Sequence, residues 1–199
     1  MAAPPNKTIG NHGGKWVQNH ALCDSIDPAL QIQGIGWLIR KAVSVATVTL
    51  HIKQYNDSEG QPHIDIDQVA TGGLKGTSEH RTLDFQFREH SDWLFGTAKG
   101  QSKFVTKEEL DAIVAEQTKQ GILQDDFLSK GFIDEDSEKT EDGKLLVYNH
   151  VVSNNGWFAT QTWGFQVIGG ERRYTRHICV SKEGKFANVQ LIFDWAGEL

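Results

Sequence analysis

Arg172, Tyr174 and Arg176 occupy alternate positions in "ERRYTRHICV", a stretch whose period of two reads as a β-strand. Alternation puts all three on one face, so the chemistry they offer depends on where that face points. If Gly169 and Gly170 form a two-residue hairpin turn, Val167 pairs with Arg172, Phe165 with Tyr174 and Trp163 with Arg176. A second such turn at Glu183 and Gly184 pairs Ile178 with Val189, Arg176 with Leu191, Tyr174 with Phe193 and Arg172 with Trp195. Paired residues share a face, and this one is mostly aromatic and aliphatic, so it belongs inside. Taking Asn155 and Gly156 as a type I′ turn adds Tyr148 and His150 to the interior, with His150 opposite Gln161 and Tyr148 opposite Trp163.

A guanidinium buried without a partner is costly, so an inward arginine calls for an anion, a carboxylate or a ligand oxygen. Arg176 would hold an anion or polarise a carbonyl, while Tyr148, Tyr174 and Gln161 orient it by hydrogen bonds. His150, with an unperturbed pKa of about 6.5, suits a general acid or base, and a neighbouring Tyr or Arg would stabilise an enolate-like oxygen. That combination describes a cyclase or isomerase with His150 and Tyr148 as catalytic groups. The ligand-binding set is Gln161, Trp163, Phe165, Arg172, Tyr174, Arg176, Leu191, Phe193 and Trp37. The structural alternatives are an arginine that snorkels at the barrel mouth or pairs with an acid elsewhere, and a hydrogen-bonded interior histidine. A one-residue slip at the turn would put both arginines outside.

These residues need a scaffold, and the chain supplies one. Its 199 residues suit one domain, and 38% apolar with 23% charged residues is ordinary for a soluble protein. A net charge of -6 argues against a nucleic-acid partner, since it leaves no broad basic face. "MAAPPNKTIGNHGG" has no apolar core of secretory length and no long apolar run follows, so the expectation is a cytoplasmic protein without membrane insertion. Cys23 and Cys179 are too few for a disulfide framework and read as thiols. Residues 1–12 read as a flexible tail, and 13–199 as one domain.

After a short strand in "GKWVQNHA", the spacing of Leu30, Ile35, Leu38 and Ile39, interrupted by Gly34 and Gly36, predicts two short helices or one bent helix over about 25–45. From Thr47 the period is two: "TVTLHIKQY", "HIDIDQVA", "HRTLDFQFRE" and "WLFGTAKGQSKFV" read as successive antiparallel strands. "TKEELDAIVAEQTKQ" returns to helical spacing, with Thr106 and Glu109 forming a capping box, and opens an insertion from about 104 to 143, helical near 106–130. Its acidic connector lacks the glycine of a calcium loop. Four further strands close the chain. Together these predict a mainly β protein, a closed up-and-down antiparallel barrel of about nine or ten strands with a helical pair after the first.

Other motifs weigh less. His63, Asp65 and Asp67 share one strand face but read as a solvent face, so no metal is expected. "GGLKG" at 72–76 reads as a turn rather than a phosphate loop. Cys179 falls on the outer face with no base beside it.

"GKWVQNHALCDSIDPALQIQGIGWLIRKAVSVATVTLHI" resembles the opening of intracellular fatty-acid-binding proteins: a Gly-x-Trp strand, a helical pair with Gly-x-Gly and Arg-Lys, then an alternating strand. "QTW" followed by an Arg-bearing strand is similar to that family too. The resemblance implies a calycin-type barrel, like these proteins and the lipocalin-like proteins of fungal biosynthesis, whose helical pair, here with Trp37, Arg40 and Lys41, lids the cavity. In that family an arginine after Q-x-W and an Arg-x-Tyr pair on the last strand hold the ligand carboxylate; Arg172 or Arg176 matches the first, whereas "VQLIFDW" lacks the second. The insertion is a further departure, placed to cover or extend one end of the cavity. The function expected is binding of a hydrophobic small molecule, lipid, polyketide or terpenoid-like, without cofactor. The alternative is a cofactor-free cyclase or isomerase of secondary metabolism in the same cavity. A third class, a protein-interaction module acting through the insertion, needs only an empty or filled-in barrel core. Oligomeric state is not encoded legibly.

Overall fold

The computed structural model describes every residue except Gly73 and Lys75. Among the described residues, ten antiparallel strands form one sheet: β1 Gly14–Gln18, β2 Val48–Asn56, β3 Pro62–Ala70, β4 Ser78–Thr82, β5 Arg88–Asp92, β6 Gly96–Val105, β7 Leu146–Ser153, β8 Phe158–Ile168, β9 Glu171–Lys182 and β10 Lys185–Gly197. Their spatial order is β4-β3-β2-β1-β10-β9-β8-β7-β6-β5, so every pairing but β1 with β10 is between sequence neighbours.

The sheet curls strongly but does not close. The expected closed barrel is corrected here: among the described residues no ladder joins β4 to β5. "HRTLDFQFRE" is not one strand, because Leu83–Phe87 leaves the ladder and Phe85 sits at φ 60°. Asp84 holds that corner, accepting from Arg88 Nη1 at 2.7 Å and from the Gln86 amide at 3.0 Å. The Arg88 hydrogen bond keeps its carboxyl low, at about 2. The gap between β4 and β6 is bridged by Arg81 Nη1 to Ser102 Oγ at 3.4 Å and by the Phe85 amide to the Ser102 carbonyl at 2.9 Å.

Between β1 and β2 lie α1 (Asp27–Ile32) and α2 (Trp37–Val45), two short helices separated where Gly34 adopts φ 82°. Their junction is tied by Arg40 Nε to Asp27 Oδ1 at 3.0 Å. α1 buries Ala29 and Leu30; α2 buries no residue.

The insertion carries α3 (Lys107–Lys119), opened by the expected capping box: Thr106 Oγ1 accepts from the Glu109 amide and Glu109 Oε2 from the Thr106 amide. α3 packs Leu110 and Val114 against Leu146, Tyr148 and Cys179. The insertion therefore covers the outer wall of the sheet, and only its later part reaches the barrel end, where the Ile133 amide bonds the Phe165 carbonyl.

Residues 1–12 correct the expectation of a flexible tail. Ile9 and His12 are fully buried, the Ala3 amide donates to the Arg172 carbonyl at 2.7 Å, and Lys7 Nζ reaches Gly13 O and Glu198 Oε2. The segment plugs the barrel end mainly through backbone bonds and two apolar side chains, which leave no periodic signal in the sequence. Among the described residues, no helix is long and apolar enough to cross a membrane.

Candidate functional site

The β8–β9–β10 register is the expected one. Gly169 and Gly170 at φ 60° and 80°, and Glu183 and Gly184 at φ 51° and 75°, form two-residue turns with both central residues left-handed, as type I′ requires. Trp163 therefore pairs with Arg176, Phe165 with Tyr174 and Val167 with Arg172, while Arg176 pairs with Leu191 and Tyr174 with Phe193. The expected Arg172–Trp195 pair is absent from the ladder, and Trp195 pairs with Trp16 of β1.

Arg176 points inward and is 5% exposed. Its Nε donates to the Tyr174 hydroxyl at 3.1 Å, its guanidinium lies 3.9 Å from the Trp163 ring centroid, and Nη2 has no hydrogen-bond partner among the described residues. Burial raises the Tyr174 pKa, against the pull of Arg176, so the phenol stays neutral. Trp163 Nε1 donates to Gln161 Oε1 at 2.9 Å, fixing the ring that faces the arginine.

Arg172 shares that face but is spent on structure. Nε and Nη2 each donate to the Glu138 carboxylate at 2.5 Å, Nη2 also to the Lys7 carbonyl, and the guanidinium covers Phe165 at 3.8 Å. It clasps the N-terminal plug and the insertion together, leaving no donor fork for a ligand.

Strand β7 departs from the expected register. The hairpin between β7 and β8 is a three-residue loop, Asn154 to Gly156, in which the Ser153 amide bonds the Trp157 carbonyl and Gly156 takes φ 81°. One extra loop residue moves every β7 side chain to the other face. Val147 now faces Trp163 and Asn149 faces Gln161, while Tyr148 and His150 point outward beneath α3. His150 Nδ1 lies 2.9 Å from Thr160 Oγ1 and 3.3 Å from Gln117 Nε2, and burial lowers its pKa to about 4. Burial likewise pushes the Tyr148 phenol up. Neither side chain meets Arg176.

In their place the fold brings in residues that the sequence reading missed. Glu79 and Arg81 of β4 pair with Ile66 and Ile64 of β3, and so share the inward face. Arg81 Nε and Nη2 donate to Glu79 Oε2 at 2.9 and 2.6 Å, and Gln68 Nε2 donates to Glu79 Oε1 at 2.6 Å. Burial alone would raise the Glu79 pKa, but Arg81 and Arg176 outweigh it and hold the group ionised. Ser102 Oγ donates to Asn149 Oδ1 at 2.7 Å, behind which Asn149 Nδ2 has no partner among the described residues. The available signal was parity: in "SEHRT" the acid and the arginine alternate with His80.

Among the described residues, two neighbouring hollows lie on the inner side of the sheet. One of about 370 Å³, of mixed lining, has Glu79, Arg81, Gln161, Ser102, Val151 and Trp157 on its wall and His80, Arg88 and Glu89 at its open edge; an apolar one of about 140 Å³ is lined by Leu30, Val48, Leu50, Leu191, Phe193 and Arg176. Gln68, Thr77 and Phe95 line both.

The remaining residues lie elsewhere. Trp37, expected over the cavity, is 64% exposed on α2 and lines neither hollow. Asp65 bonds His80 and His63 bonds Asp57 on the outer face. Cys179 faces outward, where burial pushes its thiol up to about 11. Gly73 and Lys75 of "GGLKG" are outside the described residues.

No family model matches the chain. It is 32% identical over 201 residues to the probable pericyclase scpY of Mollisia scopiformis, spanning 98% of this chain and 95% of that protein. It is 29% identical over 198 residues to pericyclase pydY of Acremonium sp, spanning 99% and 98%. Among solved structures it is similar to a Schistosoma mansoni fatty acid binding protein in complex with arachidonic acid, with TM-score 0.56, 11% identity and coverage of 96% and 100%. Fatty-acid-binding protein 1 of Echinococcus granulosus gives TM-score 0.53 at 10% identity over 94% and 98%. The fluorescent protein UnaG gives 0.54 at 9% over 95% and 100%. At such identities these structures bear on the fold, which is a barrel of the fatty-acid-binding, calycin-like type.

Proposed function

The chain belongs to the pericyclase family, and from that premise we propose that it binds an extended apolar small molecule inside the barrel and catalyses its pericyclic ring closure there. A pericyclic reaction moves electrons around a ring of atoms in one step and needs no proton taken or given. The levers left to a protein are the conformation it imposes and the charge it sets against polarised atoms. Leu30, Val48, Leu50, Leu191 and Phe193 supply the greasy, rigid wall that folds a flexible chain into a reactive shape, with Trp163 and Phe165 packed behind it under the two arginines. Arg176 supplies the charge: its uncommitted Nη2 would donate to a carbonyl conjugated with the reacting carbons, drawing electron density from one partner of the closure.

The observation that carries this reading is the buried, half-satisfied guanidinium of Arg176, held by Tyr174 and Trp163 at the wall of the apolar hollow. His150, expected as the catalytic acid or base, is unnecessary to such a reaction, and its position under α3 agrees with a structural role. Carriage without turnover uses the same cavity, as the lipid-binding barrels of the same fold do. Kinetics of Arg176→Leu separate the two: a lowered kcat with near-normal affinity supports catalysis, and the absence of any turnover by the unmodified chain supports carriage.

A further inference from the structure

We propose that His12 is a positioning residue for Arg176, acting through Tyr174. Its Nε2 lone pair accepts a hydrogen bond from the phenol O–H, so the hydroxyl oxygen stays turned to Arg176 Nε and Nη2 stays turned to the cavity. The proposal rests on the role given to Arg176 above, and it makes the N-terminal plug part of the site.

Three observations point to it. First, the Arg176 contact sets a condition on the phenol. Arg176 Nε donates to the Tyr174 hydroxyl at 3.1 Å. A hydroxyl that accepts from a guanidinium has to send its own proton elsewhere, because a proton turned toward the cation repels it. Tyr174 is fully buried, so bulk water does not take that proton.

Second, the rings around the phenol offer one acceptor. Tyr174 is packed by His12, Trp16, Phe165 and Phe193, with centroids at 5.4, 5.2, 5.8 and 5.7 Å. Phenylalanine has no lone pair to offer and an indole nitrogen only donates, so of these four only the imidazole can accept. Glu79 acts on the phenol through its charge, but its oxygens take Arg81 and Gln68.

Third, His12 is set up to accept and is otherwise unspent. It is fully buried, its Nδ1 lies 3.2 Å from the Ile9 carbonyl, which fixes the ring proton there, and Nε2 has no hydrogen-bond partner among the described residues. Burial first, then the charge of Arg176 and a smaller push from Lys7, lower its pKa to about 4, so the lone pair is present at neutral pH. Gln54 spends its amide on the His12 backbone N–H at 3.0 Å and on the Ile9 carbonyl. The His12 carbonyl accepts from Trp16 Nε1 at 2.9 Å, and that same indole packs on Tyr174. A buried nitrogen without a partner costs stability that an apolar ring would avoid, and service to the neighbouring phenol accounts for its presence.

The test is nuclear magnetic resonance on the nitrogen-15-labelled full chain at neutral pH, with no guest added. The Arg176 Nε–H signal, assigned by its loss in Arg176→Leu, reports the hold on Tyr174; the His12 Nε2 signal reports whether that nitrogen accepts. In the unmodified protein Nε2 should resonate upfield of a free imidazole lone pair. His12→Phe keeps a ring against Tyr174 and removes the lone pair, while the Ile9 carbonyl retains Gln54 Nε2. Exchange of Arg176 Nε–H with water should then rise about tenfold, the scale of a weakened charge-assisted hydrogen bond, with the β9 backbone amides exchanging as before. His12→Gln returns an acceptor near the position of Nε2 and should bring the rate back to within about threefold. A free-lone-pair shift at Nε2, or the absence of a protected Nε–H signal, in the unmodified chain overturns the proposal whether or not either variant folds. An exchange rate unchanged in His12→Phe, or raised equally in both variants, overturns it too. No substrate enters these measurements, so their failure leaves the pericyclic reading standing; that reading falls separately, if Arg176→Leu turns over at the parent rate.

Discussion

Replacing Arg176 with leucine removes a guanidinium from a cavity wall where it makes one hydrogen bond, to Tyr174, and lies over Trp163. A hydrogen bond from a charged donor contributes roughly 1.5–3 kcal/mol. If that bond is made to a substrate carbonyl and strengthens as the ring closes, its loss lowers kcat by about 10- to 150-fold, taking about 1.36 kcal/mol per decade. KM should move by less than about threefold, because the apolar wall that binds the hydrocarbon is untouched. Stability should move little or rise, since the substitution deletes a buried charge with an unpartnered nitrogen. Single-turnover conversion of the acyclic substrate, followed by liquid chromatography and mass spectrometry, gives the rate, and thermal denaturation gives the stability. A kcat within twofold of the parent, or a loss of activity that simply follows a fall in Tm, would refute the assignment.

His150→Gln should retain kcat within about threefold, because that ring faces α3 and not the substrate; a large loss of kcat with unchanged stability would restore an acid–base role. Arg172→Leu strands the buried Glu138 carboxylate, and at roughly 3–5 kcal/mol for a broken buried pair it should lower Tm by about 6–20 °C while the folded fraction still turns over. Burial holds both His12 and His150 at about 4, below the unfolded value of about 6.5, so the unfolded chain binds protons first as pH falls. Each neutral ring therefore supports the fold fully above about pH 6.5, and that support, on the order of 3 kcal/mol per ring, is lost as pH falls through about 4. Urea titrations across this range should show the decline, less steeply in His150→Gln; a flat profile would contradict it.

The legible part of this molecule was set by local rules. Gly169–Gly170 and Glu183–Gly184 admit left-handed backbone at both turn positions, and this alone fixed which of Arg172, Tyr174 and Arg176 met Trp163, Phe165 and Phe193. "NNG" obeys the same chemistry but fits a two-residue turn or a three-residue loop ending in a left-handed glycine, and nothing local chooses between them. What chooses is α3. It buries the outer face of β7, so "LLVYNHVVS" is apolar and polar on both sides and its parity could not be read. Glu79 and Arg81 were hidden for a related reason: their strand ends at Thr82, whereas the alternation runs on through a corner at Asp84 and Phe85. The N-terminal plug depends on backbone bonds to β9 and β10 that no sequence pattern announces.

A crystal structure of the chain with bound substrate, or with an analogue that cannot close its ring, examines the claim at its centre. A carbonyl oxygen is expected about 2.9 Å from Arg176 Nη2, with the hydrocarbon against Leu50, Leu191 and Phe193. A guest seated on the outer wall beside His150 and Gln117, or one inside that leaves Arg176 Nη2 without an acceptor, would contradict it.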